Sequence, residues 1–347
     1  PLREIPLDPE RSPRLERRDG RYVREVAAFE SFMLEACDAD EPPAPPLRRI
    51  VIPLRGPARV RPLNPNLLRL AAWRMSLPDE AAATPQTAVV PAVPLSDQLE
   101  RGGFRFAPRV RRYFGHEPEL EWPPLRVRYE ADFENAYAGP VEFVMEPGSI
   151  VGDWRLWVNE AGPLTAGDLW PTSAHVRGSV GCDITAMLRP GPNTLRIEIA
   201  DARPEGGLLN PLYLAGDFGV SLAPLGLIER PAVGGFETYE ANGLPFYAGV
   251  IEYALAFDLS GVPGGERVLA QFVTDAPFHE ACEISLNAGP WRVLAWEPRS
   301  LELPAAELRA GRNEVRVKVY TTLIRAFEGQ WFDYVGHCYR CTASFSS

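Results

Sequence analysis

The chain has 347 residues, 46% hydrophobic and 24% charged, enough for two or three domains that each bury a core. A formal net charge of −10 argues against a nucleic-acid reader, which needs a basic face. No apolar run approaches the roughly 20 residues that span a bilayer, so a soluble protein with no membrane partner is expected.

The 36 prolines and 29 glycines are spread between short apolar runs, which favours many short strands joined by turns. Lys318 is the single lysine among the 36 basic residues, which reads as the codon bias of a GC-rich, bacterial genome, with the arginine use of thermophiles as the alternative. The chain opens on Pro1 with neither an initiator methionine nor an apolar leader, which suggests a processed or excised piece of a longer protein.

In chain order, residues 1–46 form an extension. Within it, Arg18–Cys37 carries Val23, Val26, Phe29, Met33 and Leu34 at roughly helical spacing and predicts one amphipathic helix. The run Pro42-Pro-Ala-Pro-Pro46 is a stiff linker. Residues 47–118 are a partial β-domain or an extension packed on the module that follows. They offer strands at Ile50–Leu54 and Asn66–Trp73, then an irregular connection over 78–97 rich in Pro, Ala and Thr.

The rest contains a repeat. Residues 189–199 read R-P-G-P-N-T-L-R-I-E-I and 309–319 read R-A-G-R-N-E-V-R-V-K-V. In each, a turn glycine (Gly191, Gly311) and an asparagine precede a strand of alternating apolar and charged residues. Trp154–Pro163 corresponds to Glu283–Pro290, each a strand ending at asparagine before a Gly-Pro turn, and Tyr129–Phe133 corresponds to Tyr253–Phe257. The partners keep their order at offsets of roughly 120 to 130 residues, which reads as a duplication. Asp183–Leu188 and Leu301–Leu308 each look like a strand entering a one-turn helix, with Thr185 or Pro304 near its start. The expected architecture is all-β: tandem β-sandwich or jelly-roll modules over 119–224 and 225–347 behind the N-terminal extension with its helix.

The matching residues Val158-Asn159, Asp183-Ile184-Thr185-Ala-Met-Leu188 and Pro190-Gly191-Pro-Asn193-Thr-Leu195-Arg-Ile197-Glu-Ile199 resemble the galactose-binding-like, sugar-binding jelly-roll domain of family 2 glycoside hydrolases. Related domains accompany α-L-rhamnosidase-like enzymes. Leu286-Asn287 and Gly311-Arg-Asn313 keep part of the pattern, without the D-I-T element. Leu214–Val220 and Gly243–Gly249 resemble C-terminal regions of rhamnosidase-like proteins. The resemblance covers about 120–335 and implies an accessory region, carbohydrate-binding or scaffolding. Its partners would be a carbohydrate and the catalytic domain of the same parent. In such enzymes the acid and the nucleophile or base sit in a separate (β/α)₈ barrel, which needs about 250 residues of alternating strand and helix. No such pattern occurs here, so this chain is expected to be non-catalytic. A stand-alone carbohydrate-binding protein and a purely structural scaffold are the alternatives.

The chemistry-bearing residues fit that expectation. Neither a G-x-S-x-G elbow nor a phosphate-binding G-x-x-x-x-G-K-[ST] loop occurs, and the four histidines stand in unrelated contexts. Glu237, Glu240, Glu252, Asp168 and Asp183 read as surface or capping carboxylates sooner than as a catalytic pair. The candidate sugar contacts lie in equivalent connections: Trp170 and His175 in one, Trp291, Trp296 and Arg299 in the other. Indoles can stack on the C–H face of a pyranose while polar groups meet its hydroxyls. Trp154 and Trp157 are expected in a core or interface, and Asn159 and Asn287 are expected to shape turns.

No cofactor is expected. Asp153 and Asp183 are considered for a structural calcium, and His337-Cys338-x-x-Cys341 for half of a zinc site, but neither has a second set of ligands nearby in sequence. The five cysteines do not read as a disulfide framework, which tilts the expected compartment toward the cytoplasm.

Overall fold

A computed structural model describes residues 2–5, 15–24, 33–36, 48–78, 86–104, 109–117, 119–121, 125–236, 238–262, 264, 267–274, 280–295, 299–333 and 336–342. The chain divides into two compact units. The smaller comprises 1–61, 233–236 and 250–321; the larger comprises 62–232, 237–249 and 322–347. Both are built of strands, and the fold class is all-β.

In the larger unit, one sheet is organised on Gly191–Ala202. In that strand Leu195, Ile197 and Ile199 are buried while Arg196 and Glu198 between them face outward. It pairs antiparallel with Leu125–Asn135 on one side and Trp154–Val158 on the other, and Ala161–Leu164 forms the edge beyond. Past Leu125–Asn135 lie Leu225–Ile228, in parallel, and Ala72–Ser76, antiparallel. The second sheet runs Trp170–Pro171, Val180–Asp183, Val141–Met145, Leu212–Gly216, Asn66–Leu70, with every neighbouring pair antiparallel. Side chains of both sheets meet in one apolar cluster, including Tyr129, Leu156 and Ile197 from the first and Phe143, Leu68 and Leu214 from the second. This is a β-sandwich.

The smaller unit also has two main sheets. Its larger sheet runs Val233–Gly234, Ala58–Pro62, Val250–Leu259, Gly311–Tyr320, Cys282–Leu286, Arg292–Leu294. A three-stranded sheet of Ser300–Pro304, Arg267–Val273 and Arg48–Pro53 completes it. Phe133 stands opposite Asn193 in one unit and Phe257 opposite Asn313 in the other. Val158 likewise faces Leu195, as Leu286 faces Val315. One-turn helices follow at Thr185–Met187 and Ala305–Glu307, at the positions the sequence marks.

The same side-chain network locks both sheets. Asn159 and Asn287 adopt the left-handed backbone, φ 56° and 48°, which asparagine tolerates better than most residues. The Asn159 Nδ2 donates to the Met187 carbonyl at 3.0 Å and to Asn193 Oδ1 at 2.9 Å, while its Oδ1 accepts from the Thr194 N–H at 3.1 Å. Asn193 closes its own turn, with Nδ2 donating to the carbonyls of Arg189 and Gly191 and Oδ1 accepting from the Arg189 N–H. Asn287 matches each bond, to the Glu307 carbonyl and Asn313 Oδ1 at 2.8 Å each and from the Glu314 N–H at 3.0 Å. Asn313 matches Asn193 at Arg309 and Gly311.

Three sequence expectations change. Arg18–Cys37 is not a helix where it is described: Glu16–Arg18 and Arg21–Val23 form a hairpin, and Met33–Ala36 pairs with Leu2–Ile5, while residues 25–32 of that segment lie outside the described residues. The helical spacing of apolar residues there is overridden by strand pairing. Within 78–97, Thr87–Pro91 is a strand on Ala72–Ser76, and Leu95–Arg101 is a helix. Its Leu95 and Leu99 enter the core, and its buried Gln98 accepts the Tyr129 hydroxyl at 2.6 Å while donating to the carbonyls of Pro91 and Leu208. The block 47–118 contributes to both units, because Arg48–Pro53 pairs in parallel with Arg267–Val273 whereas Asn66–Leu70 pairs with Leu212–Gly216.

Asn193→Ala and Asn313→Ala should each cost about 2 to 4 kcal/mol, since several buried backbone groups lose their partners at once. Urea unfolding of the two variants checks this, and comparable losses are expected because the networks match bond for bond.

Candidate functional site

The site is a hollow of about 430 Å³ on the second sheet of the larger unit, walled by Pro65, Pro140 and Pro171 with Trp170, Glu142 and Asp183 at its lining. Its geometry follows from strand alternation. In Val141–Met145 the side chains of Val141 and Phe143 enter the core, so Glu142 points to the other face. Glu142 stands opposite Asp183 on one neighbour and Ala215 on the other. The adjacent Gly181 is what lets the carboxylate lie across the sheet. A Cβ there would come within 2.6 Å of Glu142 Oε1 and 2.5 Å of the Phe143 carbonyl oxygen.

Trp170 is paired with Gly181 at the edge of the sheet, and it is 71% exposed. An indole this open, held on a strand beside a concavity, is poised to stack and contributes little to the core. Among the described residues, no hydrogen bond or ion pair engages the Glu142 carboxylate. Asp183 is partly committed: its Oδ1 accepts from the backbone N–H of Thr185 at 2.8 Å and from the Thr185 hydroxyl. Those bonds hold its pKa below the usual carboxylate value. Asp168 behaves alike, held down by the Thr165 backbone and hydroxyl in a capping box. The Cys182 thiol, also in the lining, is pushed up to about 11 by burial and then by the charges of Asp168, Glu142 and Asp183.

His175, though close to Trp170 in sequence, lies elsewhere. Its side chain is 1% exposed, tilted against Tyr213 at 4.3 Å and edge-on to Phe327 at 5.4 Å. Burial lowers its pKa; Nε2 has no hydrogen-bond partner, and Glu146 Oε1 stands 3.7 Å away. Trp291, in the smaller unit, is half-buried beneath Lys318 and Arg316, at 4.1 and 5.2 Å from its ring centroid. Arg299 is 6% exposed and donates to the Leu294 carbonyl at 2.8 Å. Trp296 lies outside the described residues. Of the described sugar-contact candidates, Trp170, His175, Trp291 and Arg299, the structure brings only Trp170 to the hollow.

The other residues weighed from sequence have structural places. Trp154 is buried, and Trp157 lies under the Arg196 guanidinium at 4.6 Å. Glu252 is held between Arg316 and Arg61; burial would raise its pKa, but the hydrogen bonds from both guanidinia outweigh that and lower it. Cys338 and Cys341 are free and exposed, and no group of three or more His, Cys, Asp or Glu side chains placed to hold a metal occurs among the described residues.

Sequence reasoning missed Glu142, Gly181 and the three prolines as neighbours of Trp170. The alternation in Val141-Glu-Phe-Val marks Glu142 as outward-facing, but its register against Gly181 and Asp183 is a long-range pairing that no local signal carries.

No protein-family model matches the chain, and no curated protein matches it. Solved structures that match include a GH2 β-galacturonidase from Eisenbergiella tayi, at 8% identity and TM-score 0.27, over 78% of this chain and 38% of that one. A β-glucuronidase from Ruminococcus gnavus matches at 11% identity and TM-score 0.29, over 76% and 40%. A β-D-mannosidase from Dictyoglomus thermophilum matches at 13% and 0.31, over 73% and 31%. The chain thus spans under half the length of each, and likenesses this slight assign it neither activity nor substrate.

Because the folded state lowers the His175 pKa, the unfolded chain takes up that proton first as pH falls through about 6.5. The contribution is complete above that pH and is lost as pH falls toward the folded value. His175→Phe keeps the aromatic packing without the titration, so its urea midpoint should fall less between neutral pH and pH about 5 than that of the wild type.

Proposed function

We propose that this chain is a non-catalytic, carbohydrate-binding accessory region of a glycoside hydrolase of the rhamnosidase-like type, with a sugar seated against Trp170. The observation that carries the reading is the exposed indole fixed by strand pairing at the edge of a largely apolar hollow that has Glu142 and Asp183 in its lining. Concave sites with an apolar wall and a few convergent polar groups are where small ligands bind. The indole offers a face for the C–H side of a pyranose, while Glu142 and Asp183 accept hydrogen bonds from its hydroxyls. The sequence resemblance to sugar-binding jelly-roll domains supports the ligand class, and the matched asparagine networks support two copies of one ancestral module.

Catalysis is disfavoured at the same place. Glycoside hydrolysis needs a carboxylic acid whose pKa is raised. Asp183, at the lining, is instead held low by its hydrogen bonds from Thr185. The catalytic groups of the parent would then reside in a partner domain, and His175, Arg299 and Trp291 serve the fold.

Affinity electrophoresis through gels containing a panel of polysaccharides tests the reading, with retardation by at least one polymer expected. Trp170→Ala should weaken that binding at least about tenfold, roughly 1.4 kcal/mol, while changing stability by no more than about 0.5 kcal/mol. Absence of retardation by every polymer would leave a scaffold. Release of aryl alcohol from an aryl glycoside by the purified chain would make it an enzyme.

A further inference from the structure

We propose that the Trp170 hollow selects a cationic amino sugar, one bearing a free ammonium group, and discriminates against uronates and other anionic sugars. The inference rests on the carbohydrate-binding reading and specifies the charge of the ligand.

The charged groups at the lining are of one sign. Glu142 and Asp183 stand opposite each other on adjacent strands, and no lysine, arginine or histidine is among the residues described as lining the hollow. Glu142 is uncommitted among the described residues, and both hydrogen bonds from Thr185 reach the same oxygen of Asp183, Oδ1. Oxygens remain available to a ligand on each carboxylate. An ionised carboxylate only accepts, so these groups suit hydroxyl and ammonium donors and offer nothing to a carboxylate or sulfate. The Cys182 thiol in the lining is raised first by burial and then by the charges of Asp168, Glu142 and Asp183.

Geometry adds selectivity. Trp170 stands across from Gly181, over which the Glu142 carboxylate lies, so a ring stacked on the indole brings its substituents toward that carboxylate. Pro65, Pro140 and Pro171 lend the walls no backbone N–H that could compensate an anion. A uronate would therefore meet two carboxylates and no cationic side chain among the described lining residues, whereas an ammonium gains a charge-assisted hydrogen bond. Glu142 thus acts as a specificity-determining residue and Trp170 as the stacking platform.

Titration calorimetry of the full chain with three oligosaccharides of equal length tests this: a glucosamine oligomer, its N-acetylated counterpart and a galacturonate oligomer. At low salt the glucosamine oligomer should bind at least about tenfold more tightly than the galacturonate oligomer, with the N-acetylated one between. Raising the salt to about 0.3 M should narrow that gap, since screening then acts over less than roughly 10 Å. Glu142→Gln, which keeps the shape, should reduce the preference several-fold, and Trp170→Ala should abolish binding of all three.

Equal or tighter galacturonate binding, or a preference unchanged by both salt and Glu142→Gln, would overturn charge selection while Trp170-dependent binding left the sugar reading standing. Glucosamine binding that survives Trp170→Ala would place the amine at another site and overturn the proposal. If none of the three binds, charge selection falls; if the polysaccharide panel is also silent, the carbohydrate-binding reading falls with it. If Glu142→Gln lost its folded circular-dichroism signature, the salt response of the wild type would decide alone.

Discussion

Each unit depends on a pair of asparagines that closes the turn before its central strand and ties that turn to the neighbouring one. In the larger unit Asn159 and Asn193 do this; in the smaller, Asn287 and Asn313. The constraint is that a buried backbone donor or acceptor left unpaired costs about 1 to 3 kcal/mol, and the turns around each asparagine pair contain several such groups. An asparagine amide meets both needs, because it donates and accepts from one planar group. With the turn fixed, the strand after it starts in a defined register, and a slip of one residue would turn Leu195, Ile197 and Ile199 out to solvent.

The hollow follows from strand pairing within the second sheet. Once Val141 and Phe143 are committed to the core, Glu142 must face outward, and pairing with Val180–Asp183 sets Gly181 and Asp183 beside it. Elsewhere on the larger unit an aromatic group is closed rather than open. Tyr213, His175 and Phe327 pack together, the Tyr213 hydroxyl donates to the Ala326 carbonyl, and Arg69 Nε donates to the Phe327 carbonyl. His175 and Trp170, five positions apart in sequence, therefore play opposite parts. The histidine is buried against Tyr213 and Phe327, while the indole stands open.

Charge is handled in two ways. Arginines neutralise carboxylates on the outward faces of the large sheets, as Arg316 and Arg61 do for Glu252 and Arg74 does for Glu130 and Asp132. The exposed Arg74 pairs contribute little to stability and mainly keep like charges from accumulating, whereas the buried Glu252 needs its two guanidinia to offset desolvation. At the hollow, by contrast, Glu142 lacks such a partner among the described residues. The difference separates a solvated face from one with unspent hydrogen-bonding capacity.

The sequence by itself determined the all-β class, the strands 191–202 and 311–320, and the one-turn helices after Asp183 and Pro304. These rest on local alternation and turn chemistry, which neighbouring residues decide among themselves. It also marked Trp170 as a candidate, though it could not distinguish that residue from His175, Trp291 or Arg299. Only tertiary structure decided that the described parts of Arg18–Cys37 pair as strands, that Leu95–Arg101 is a helix anchored by Gln98, and that Arg48–Pro53 joins a sheet more than 200 residues downstream. It also decided which candidates are buried and which carboxylate stands beside the indole. Strand partners and burial are set by contacts between distant segments, and those energies appear only when the sheets close over a common core.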